Sequence, residues 1–170
     1  MSDHLTDARY KFAEAEGNRI WKTIAGGKIP VILNDIVKAL GVKVCAEEIP
    51  AYIRSDGVSQ MDGAGNCIIR YRKGTSEVRA RFTVAHELGH IILEHISFDG
   101  SSSRCSVDAQ EKEANTFASG LLIPVPDLRN FLKTKDKTID DVTKRYWVSK
   151  EVASYAVNKN RLLSKLVVAT

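Results

Sequence analysis

The chain has 170 residues, of which 44% are hydrophobic and 27% charged, and its formal net charge is +4 at pH 7. This length and composition are typical of one compact domain, or of one with a small appendage, and they exclude a multidomain assembly and a globally disordered chain. The aliphatic runs are far shorter than the about 20 residues of a membrane-spanning helix, and no secretory signal pattern begins the sequence. We therefore expect a cytoplasmic protein without a membrane span.

The first half of the sequence predicts helices followed by a small sheet. Apolar residues recur at helical spacing from Leu5 to Ile24, and a second, shorter helix is predicted from Val31 to Leu40. Three strands are predicted next, over Val42–Ile49, Gly57–Asp62 and Cys67–Arg72. The Gly-Ala-Gly-Asn segment between the last two strands favours a hairpin, so we expect the sheet to be antiparallel.

Two longer helices are predicted in the middle of the chain. The first runs from about Glu77 to His95, and a polar, serine-rich loop over 97–106 follows it. Asp108 opens the second helix, which ends before Pro124 because proline cannot continue a helix. These two helices contain the residues that carry chemistry.

The first of these helices contains the motif H-E-x-x-H at His86, Glu87 and His90. Residues four positions apart share one helix face, so both imidazoles can bind one metal ion while the glutamate handles the proton of an attacking water. This is the pattern of a zinc peptidase, although Mn or Co can occupy the same ligands. The alternative is a pair of core histidines beside a solvated glutamate, which explains poorly why three polar residues stand among apolar ones.

A third protein ligand is needed. The metzincin pattern is excluded because Leu93 and Ile96 stand where it requires glycine and histidine. Two carboxylates on the following helix qualify, and we prefer Glu111, with Glu113 as the fallback ligand. Asn115 lies four residues after Glu111 and can hydrogen-bond a metal ligand. Glu111 can instead belong to a capping box at the start of its helix.

These motifs resemble the ImmA/IrrE family of bacterial metallo-endopeptidases. The chain reads R-F-T-V-A-H-E-L-G-H from Arg81 and E-K-E-A-N-T-F-A-S-G-L-L-I-P from Glu111, in the family's order. The resemblance implies a zincin-like α+β domain, a zinc ion with a glutamate as third ligand at the position of Glu111, and a helix-turn-helix-like C-terminal portion. It further implies cleavage of a partner repressor of the XRE type, which relieves repression of mobile-element, phage or stress-response genes.

The C-terminal segment is predicted to be a separate helical portion. We place the zincin-like domain at residues 1–126 and the helix-turn-helix-like segment at 127–170, with helices over 138–146 and 149–160. The segment is basic, and four of its polar residues can face DNA: Lys150, Ser154, Asn158 and Lys159. The same residues can form the solvated side of a packing helix, so direct DNA binding stays open, and we favour structural support or partner docking.

The predicted function is therefore that of an α+β zincin-like endopeptidase in which the hairpin lends an edge strand to an extended substrate. Two alternatives stay open: a DNA-binding regulator with a structural or vestigial metal site, and the toxin component of a two-gene module. Three tyrosines are candidates for stabilising an oxyanion, with core packing as their default role: Tyr71, Tyr146 and Tyr155. Cys105 is assigned no role.

Overall fold

A computed structural model of the chain describes residues 2–50, 52, 55–96, 107–134 and 136–166. Its elements follow one another as α1 (Ser2–Thr23), α2 (Leu33–Ala39), β1 (Lys43–Glu47), β2 (Gly57–Met61), β3 (Cys67–Arg72), α3 (Glu77–Ile92), α4 (Val107–Leu122), α5 (Val125–Phe131), α6 (Ile139–Tyr146), α7 (Lys150–Lys159) and a 3₁₀ turn (Leu163–Lys165). The predicted α+β class is confirmed. The predicted serine-rich loop, with Cys105, lies outside the described residues.

The three strands form a mixed sheet in the order β1-β3-β2, which corrects the expectation of an antiparallel sheet. The hairpin pairs β2 with β3 antiparallel as predicted, with Met61 opposite Cys67. However, β1 pairs parallel with β3, so that Lys43 lies opposite Ile68. The turn sequence predicts only the pairing of β2 with β3. The pairing of β1 with β3 spans a long connection, and no turn residues in the sequence indicate it.

The helices α1 and α4 pack with their backbones in close contact. A Cβ atom added at Gly17 would lie 2.5 Å from the carbonyl oxygen of Phe117, and one added at Gly120 would lie 2.8 Å from that of Glu14. Any larger residue at either position would therefore push the helices apart. This contact fixes α4, and with it Glu111 and Glu113, against the N-terminal helix.

The helix α3 ends earlier than predicted, at Ile92 rather than His95. Glu94 adopts the left-handed backbone region with a φ of 57°. Its amide donates to the carbonyl of Ile91 at 3.2 Å, and the amide of His95 donates to the carbonyl of His90 at 2.9 Å. These two bonds form a Schellman motif, which turns the chain back so that His95 lies over the last turn of the helix.

The C-terminal helices are capped as the sequence predicts. Thr138 and Asp141 form a capping box at the start of α6, and Ser149 accepts a hydrogen bond from the amide of Val152 at the start of α7. Trp147 separates the two helices in a left-handed conformation with φ of 54°. Buried side chains on both sides of residue 126 belong to one hydrophobic cluster, including Leu121, Leu128, Val142 and Val157. The division of the chain at residue 126 stays a prediction.

The described parts of the chain contain no helix that combines the length and the apolar character needed to cross a bilayer.

Candidate metal centre

Two histidines of α3 have their Nε2 atoms close together, directed toward the same point in space. His86 and His90 are one helical turn apart, and their Nε2 atoms lie 3.0 Å from each other. Burial, together with the neighbouring His86 and His95, lowers the pKa of His90 to about 4. The ring is therefore neutral at physiological pH, which is the form that binds a metal ion.

Glu111 brings a carboxylate from α4 to the same spot. Its Oε2 atom lies 3.2 Å from Nε2 of His86, and its Oε1 atom lies 3.3 Å from Nε2 of His90. The three ligand atoms all lie within 4.8 Å of one another. Two imidazole nitrogens and one carboxylate are a donor set that suits zinc and leaves a further coordination position open. The residues therefore fit the metal that the sequence predicts.

The structure also places Asn115 where the sequence predicts a supporting residue. Its side-chain Oδ1 lies 2.9 Å from Nδ1 of His86. Because an amide oxygen only accepts, this contact requires the proton of His86 to be on Nδ1 and leaves Nε2 free to bind a metal. The contact thus selects the tautomer in which His86 can act as a ligand.

Glu87 is buried beside the histidines, with a relative exposure of 5%. The hydroxyl of Ser59 on β2 donates to its Oε2 atom at 2.7 Å. Burial raises the pKa of Glu87, although the hydrogen bond from Ser59 lowers it in part. A glutamate with a raised pKa is closer to the value at which a carboxylate is an effective general base.

The same strand passes very close to α3 at Gly57. A Cβ atom added there would lie 2.5 Å from Cγ2 of Thr83 and 3.1 Å from Oε1 of Glu87. Only glycine therefore allows β2 to run directly alongside the buried carboxylate.

Glu113, the fallback ligand, is engaged elsewhere. Arg9 on α1 forms an ion pair with its carboxylate, and Nε2 of His95 lies 3.1 Å from its Oε2 atom. Burial raises the pKa of Glu113, but the hydrogen bonds from Arg9 and His95 outweigh this effect and leave it below its usual value. Among the described residues, its carboxylate is not one of the converging ligand atoms, so Glu111 is the carboxylate that the geometry favours.

Three residues at the site were missed in the sequence. Gly57 and Ser59 lie two residues apart on one strand and therefore share a face, but the sequence does not indicate which helix packs against that face. His95 lies five residues after His90, which on an ideal helix places it far round from that residue, so the sequence does not indicate their contact. The helix ends before His95, and its Nδ1 atom lies 3.0 Å from Nδ1 of His90.

The tyrosine candidates differ in their surroundings. The hydroxyl of Tyr146 donates to Asp127 at 2.7 Å in a fully buried position, which supports its default role in packing. Tyr71 lines a hollow beside Trp147, away from the histidines. Tyr155 is half-exposed and lines a hollow that also includes Asn115.

A cleft of about 680 Å³ opens over the two histidines, Glu87 and Glu111. One side of the cleft is formed by β2, and the chain that follows β1 lines another part through Glu48 and Pro50. A space of this size can hold several residues of a polypeptide.

A small sheet packed on a helix that carries H-E-x-x-H, with a glutamate from a second helix, defines the zincin-like class of domain. The chain belongs to the M78 peptidase family: the model of the IrrE N-terminal-like domain matches residues 37–158. The resemblance to the ImmA/IrrE family is thereby confirmed.

A solved structure of a Mycobacterium tuberculosis transcriptional regulator has a similar fold, with a TM-score of 0.61 and 17% sequence identity. The match covers 92% of this chain and 49% of that one, so the chain spans about half the length of the regulator. A search of curated protein sequences finds no match.

Proposed function

We propose that the protein is a zinc-dependent endopeptidase in which His86, His90 and Glu111 hold one metal ion and Glu87 is the general base. One observation carries the proposal: three ligand atoms lie within 4.8 Å of one another beside a buried glutamate. Glu87 is buried and the two histidines are partly buried, which is costly for ionisable groups unless they serve a common chemistry. Mn or Co can replace zinc with the same ligands.

The proposed mechanism divides the work between the ion and the chain. When bound, zinc polarises the carbonyl of the scissile peptide and lowers the pKa of water. Glu87 accepts a proton from the attacking water and then delivers it to the leaving nitrogen, so the carboxylate is regenerated at the end of the cycle. Ser59 holds the Oε2 atom of this carboxylate at 2.7 Å, which leaves Oε1 for the water.

We propose that the substrate is bound in an extended conformation along β2. This strand pairs only with β3 among the described residues, so its other edge has backbone groups available for hydrogen bonding. Gly57, Val58 and Ser59 of the strand line the cleft together with the histidines. A peptide added to this edge would pass the metal ligands with its backbone aligned.

For the substrate, we propose an XRE-type repressor encoded near the gene, cleaved in the cytoplasm so that repression of mobile-element, phage or stress-response genes is relieved. Membership of the M78 family supports this proposal, and so does the name of the structural neighbour, which is a transcriptional regulator. A protease acting as the toxin of a two-gene module would share the same site and differ only in its target.

The name of the neighbour also favours a second candidate, a DNA-binding regulator that uses residues 127–170. The contacts of its basic residues count against it. Lys150 is ion-paired with Asp140 at 3.0 Å, and Lys159 is ion-paired with Glu14 at 2.8 Å. These charges are partly neutralised within the chain, so we propose that α6 and α7 support the fold or dock the partner.

The deciding experiment incubates the purified, zinc-loaded protein with the repressor encoded nearby and analyses the products by gel and mass spectrometry. Glu87→Gln is the matched control, since it keeps the shape of the side chain and the metal ligands but removes the base. We expect cleavage at one site with the wild type and none with the variant. Equal cleavage by the two proteins would refute the role of Glu87, and an intact repressor with loaded wild type would refute this substrate.

The same preparations test the second candidate. A DNA-binding regulator predicts salt-dependent binding to the promoter that is unchanged by Glu87→Gln, with no cleavage of the repressor. The endopeptidase predicts no salt-dependent binding to the promoter, and cleavage of the repressor by the wild type but not by Glu87→Gln.

A further inference from the structure

A chain of polar side chains, buried except at its Arg9 end, runs from the metal centre to the N-terminal helix. Nδ1 of His90 lies 3.0 Å from Nδ1 of His95, and Nε2 of His95 lies 3.1 Å from Oε2 of Glu113. Arg9 completes the chain, with one guanidinium nitrogen 2.8 Å from the same Oε2 atom. The side chains of His95 and Glu113 are only 3% and 4% exposed, so water does not compete for these contacts.

The proton positions along this chain follow from the ion pair between Arg9 and Glu113 at its outer end. Arg9 only donates, and the carboxylate that it pairs with only accepts. Nε2 of His95 must therefore carry the proton that it shares with Glu113, and Nδ1 of a neutral His95 is then an acceptor. Consequently the short contact between the two Nδ1 atoms requires His90 to donate from its Nδ1–H group.

This direction has a consequence for the metal site. A neutral histidine with its proton on Nδ1 has a free electron pair on Nε2, and Nε2 is the atom of His90 that faces Glu111 at 3.3 Å. The remaining three residues of the chain thus prepare His90 as a ligand, as Asn115 does for His86. The Schellman motif at Glu94 brings His95 into place, since it turns the chain back over His90.

We propose that His95, Glu113 and Arg9 form a positioning relay that fixes the tautomer and orientation of His90 and so sets the affinity of the site for its metal. The inference rests on the proposed metal site. Because Arg9 lies on α1, the proposal gives the docking of that helix an influence on a centre to which none of its described side chains contributes a ligand.

The first test measures zinc affinity by competition with a chromophoric chelator. His95→Phe keeps a flat ring but removes the acceptor, and we expect it to weaken zinc binding by about 10- to 100-fold, the range found when the partner of a histidine ligand is removed. His95→Asn keeps an oxygen close to the position of Nδ1, and we expect it to restore a large part of the affinity. Equal affinity of wild type and His95→Phe would overturn the proposal.

Variants on α1 test the part of the relay formed by Arg9. Arg9→Gln breaks the ion pair with Glu113, whereas the control Arg19→Gln breaks an exposed ion pair with Glu16 on the same helix. We expect weaker zinc binding for the first variant, by less than for His95→Phe, and unchanged binding for the second. Equal losses in both variants would show that any weakened α1 has this effect and would overturn the role of Arg9.

A spectroscopic test does not depend on zinc. Nitrogen-15 spectra of the metal-free protein distinguish the histidine tautomers, and the chain has only four histidines. We expect a larger fraction of His90 to carry its proton on Nδ1 in the wild type than in His95→Phe. If the wild type binds no zinc, the proposed function fails while these spectra still decide the relay. If it binds zinc but His95→Phe leaves the tautomers of His90 unchanged, the relay alone fails.

Discussion

Ser59 on the edge strand β2 donates a hydrogen bond of 2.7 Å to Oε2 of Glu87 on α3. The bond joins the strand along which we expect the substrate to lie to the residue that we propose as the general base. It also occupies one oxygen of a carboxylate that is almost completely buried. The orientation of Glu87 is thus determined by the sheet as well as by its own helix.

We expect Ser59→Ala to lower kcat by about tenfold, because losing a hydrogen bond to a charged group costs about 1.5 kcal/mol and leaves the base less well oriented. KM should change little, since the backbone edge of β2 is untouched. The hydrogen bond from Ser59 lowers the pKa of Glu87, so the acidic limb of the pH–rate profile should move to higher pH in the variant. Steady-state kinetics on the cleaved repressor segment, measured across pH, provide the check.

Two further variants make this prediction specific. Ser59→Thr retains the hydroxyl and should recover most of the activity. Gln60→Ala changes the neighbouring, exposed side chain on the other face of the strand and should have no effect. A loss confined to KM in Ser59→Ala would mean that Ser59 contacts the substrate instead of positioning Glu87.

The glycine at the start of β2 provides a test of the packing between the strand and α3. We expect Gly57→Ala to destabilise the fold by about 1–3 kcal/mol, because the new methyl group would overlap Thr83 and approach Glu87. Gly63→Ala, in the hairpin turn, is the matched control, because a Cβ atom there meets nothing within 4 Å. Chemical denaturation gives both free energies of unfolding. Similar values for the two variants would contradict the close approach of β2 to α3.

Burial of Glu87 predicts a pH-dependent cost in stability for the metal-free protein. Its pKa in the folded state is raised by burial above the value in the unfolded chain, so folding favours the protonated form. At low pH the group is neutral in both states and costs nothing. As pH rises through the folded-state pKa, the carboxylate must ionise while buried, and stability is lost.

We therefore expect Glu87→Gln to be more stable than the wild type at neutral pH when both are metal-free, with a difference that shrinks as the pH is lowered. Thermal unfolding in the presence of a chelator, over a series of pH values, measures this difference. If the difference in stability is the same at every pH, packing and not ionisation causes it.

The sequence was informative where a local pattern determines the structure. The spacing of His86, Glu87 and His90 on one helix depends only on helical geometry, and the caps at Thr138 and Ser149 depend on neighbouring residues. The preference for Glu111 over Glu113 agrees with the geometry, because residues two positions apart on a helix cannot face the same point.

The remaining features depend on contacts between distant parts of the chain. The parallel pairing of β1 with β3 spans a long connection, and no residue pattern within either strand predicts it. The early end of α3 depends on Glu94 in a left-handed conformation, which glycine or asparagine adopts far more readily than glutamate. Because that helix end was missed, the contact of His95 with His90 was missed as well.

Asn115 offers a test of the other histidine ligand. Its Oδ1 atom accepts from Nδ1 of His86 at 2.9 Å, so Asn115→Ala would leave that proton without its protein partner and the ring less well oriented. We expect zinc affinity to fall by about 10- to 100-fold, with little change in the stability of the metal-free protein. Asn115→Asp keeps the acceptor and adds a charge that makes His86 a more basic ligand, so its affinity should equal or exceed that of the wild type. Chelator competition with these variants and with Asn115→Leu distinguishes this role from simple packing, because leucine fills the space without an acceptor and would keep the affinity only if Asn115 served packing alone.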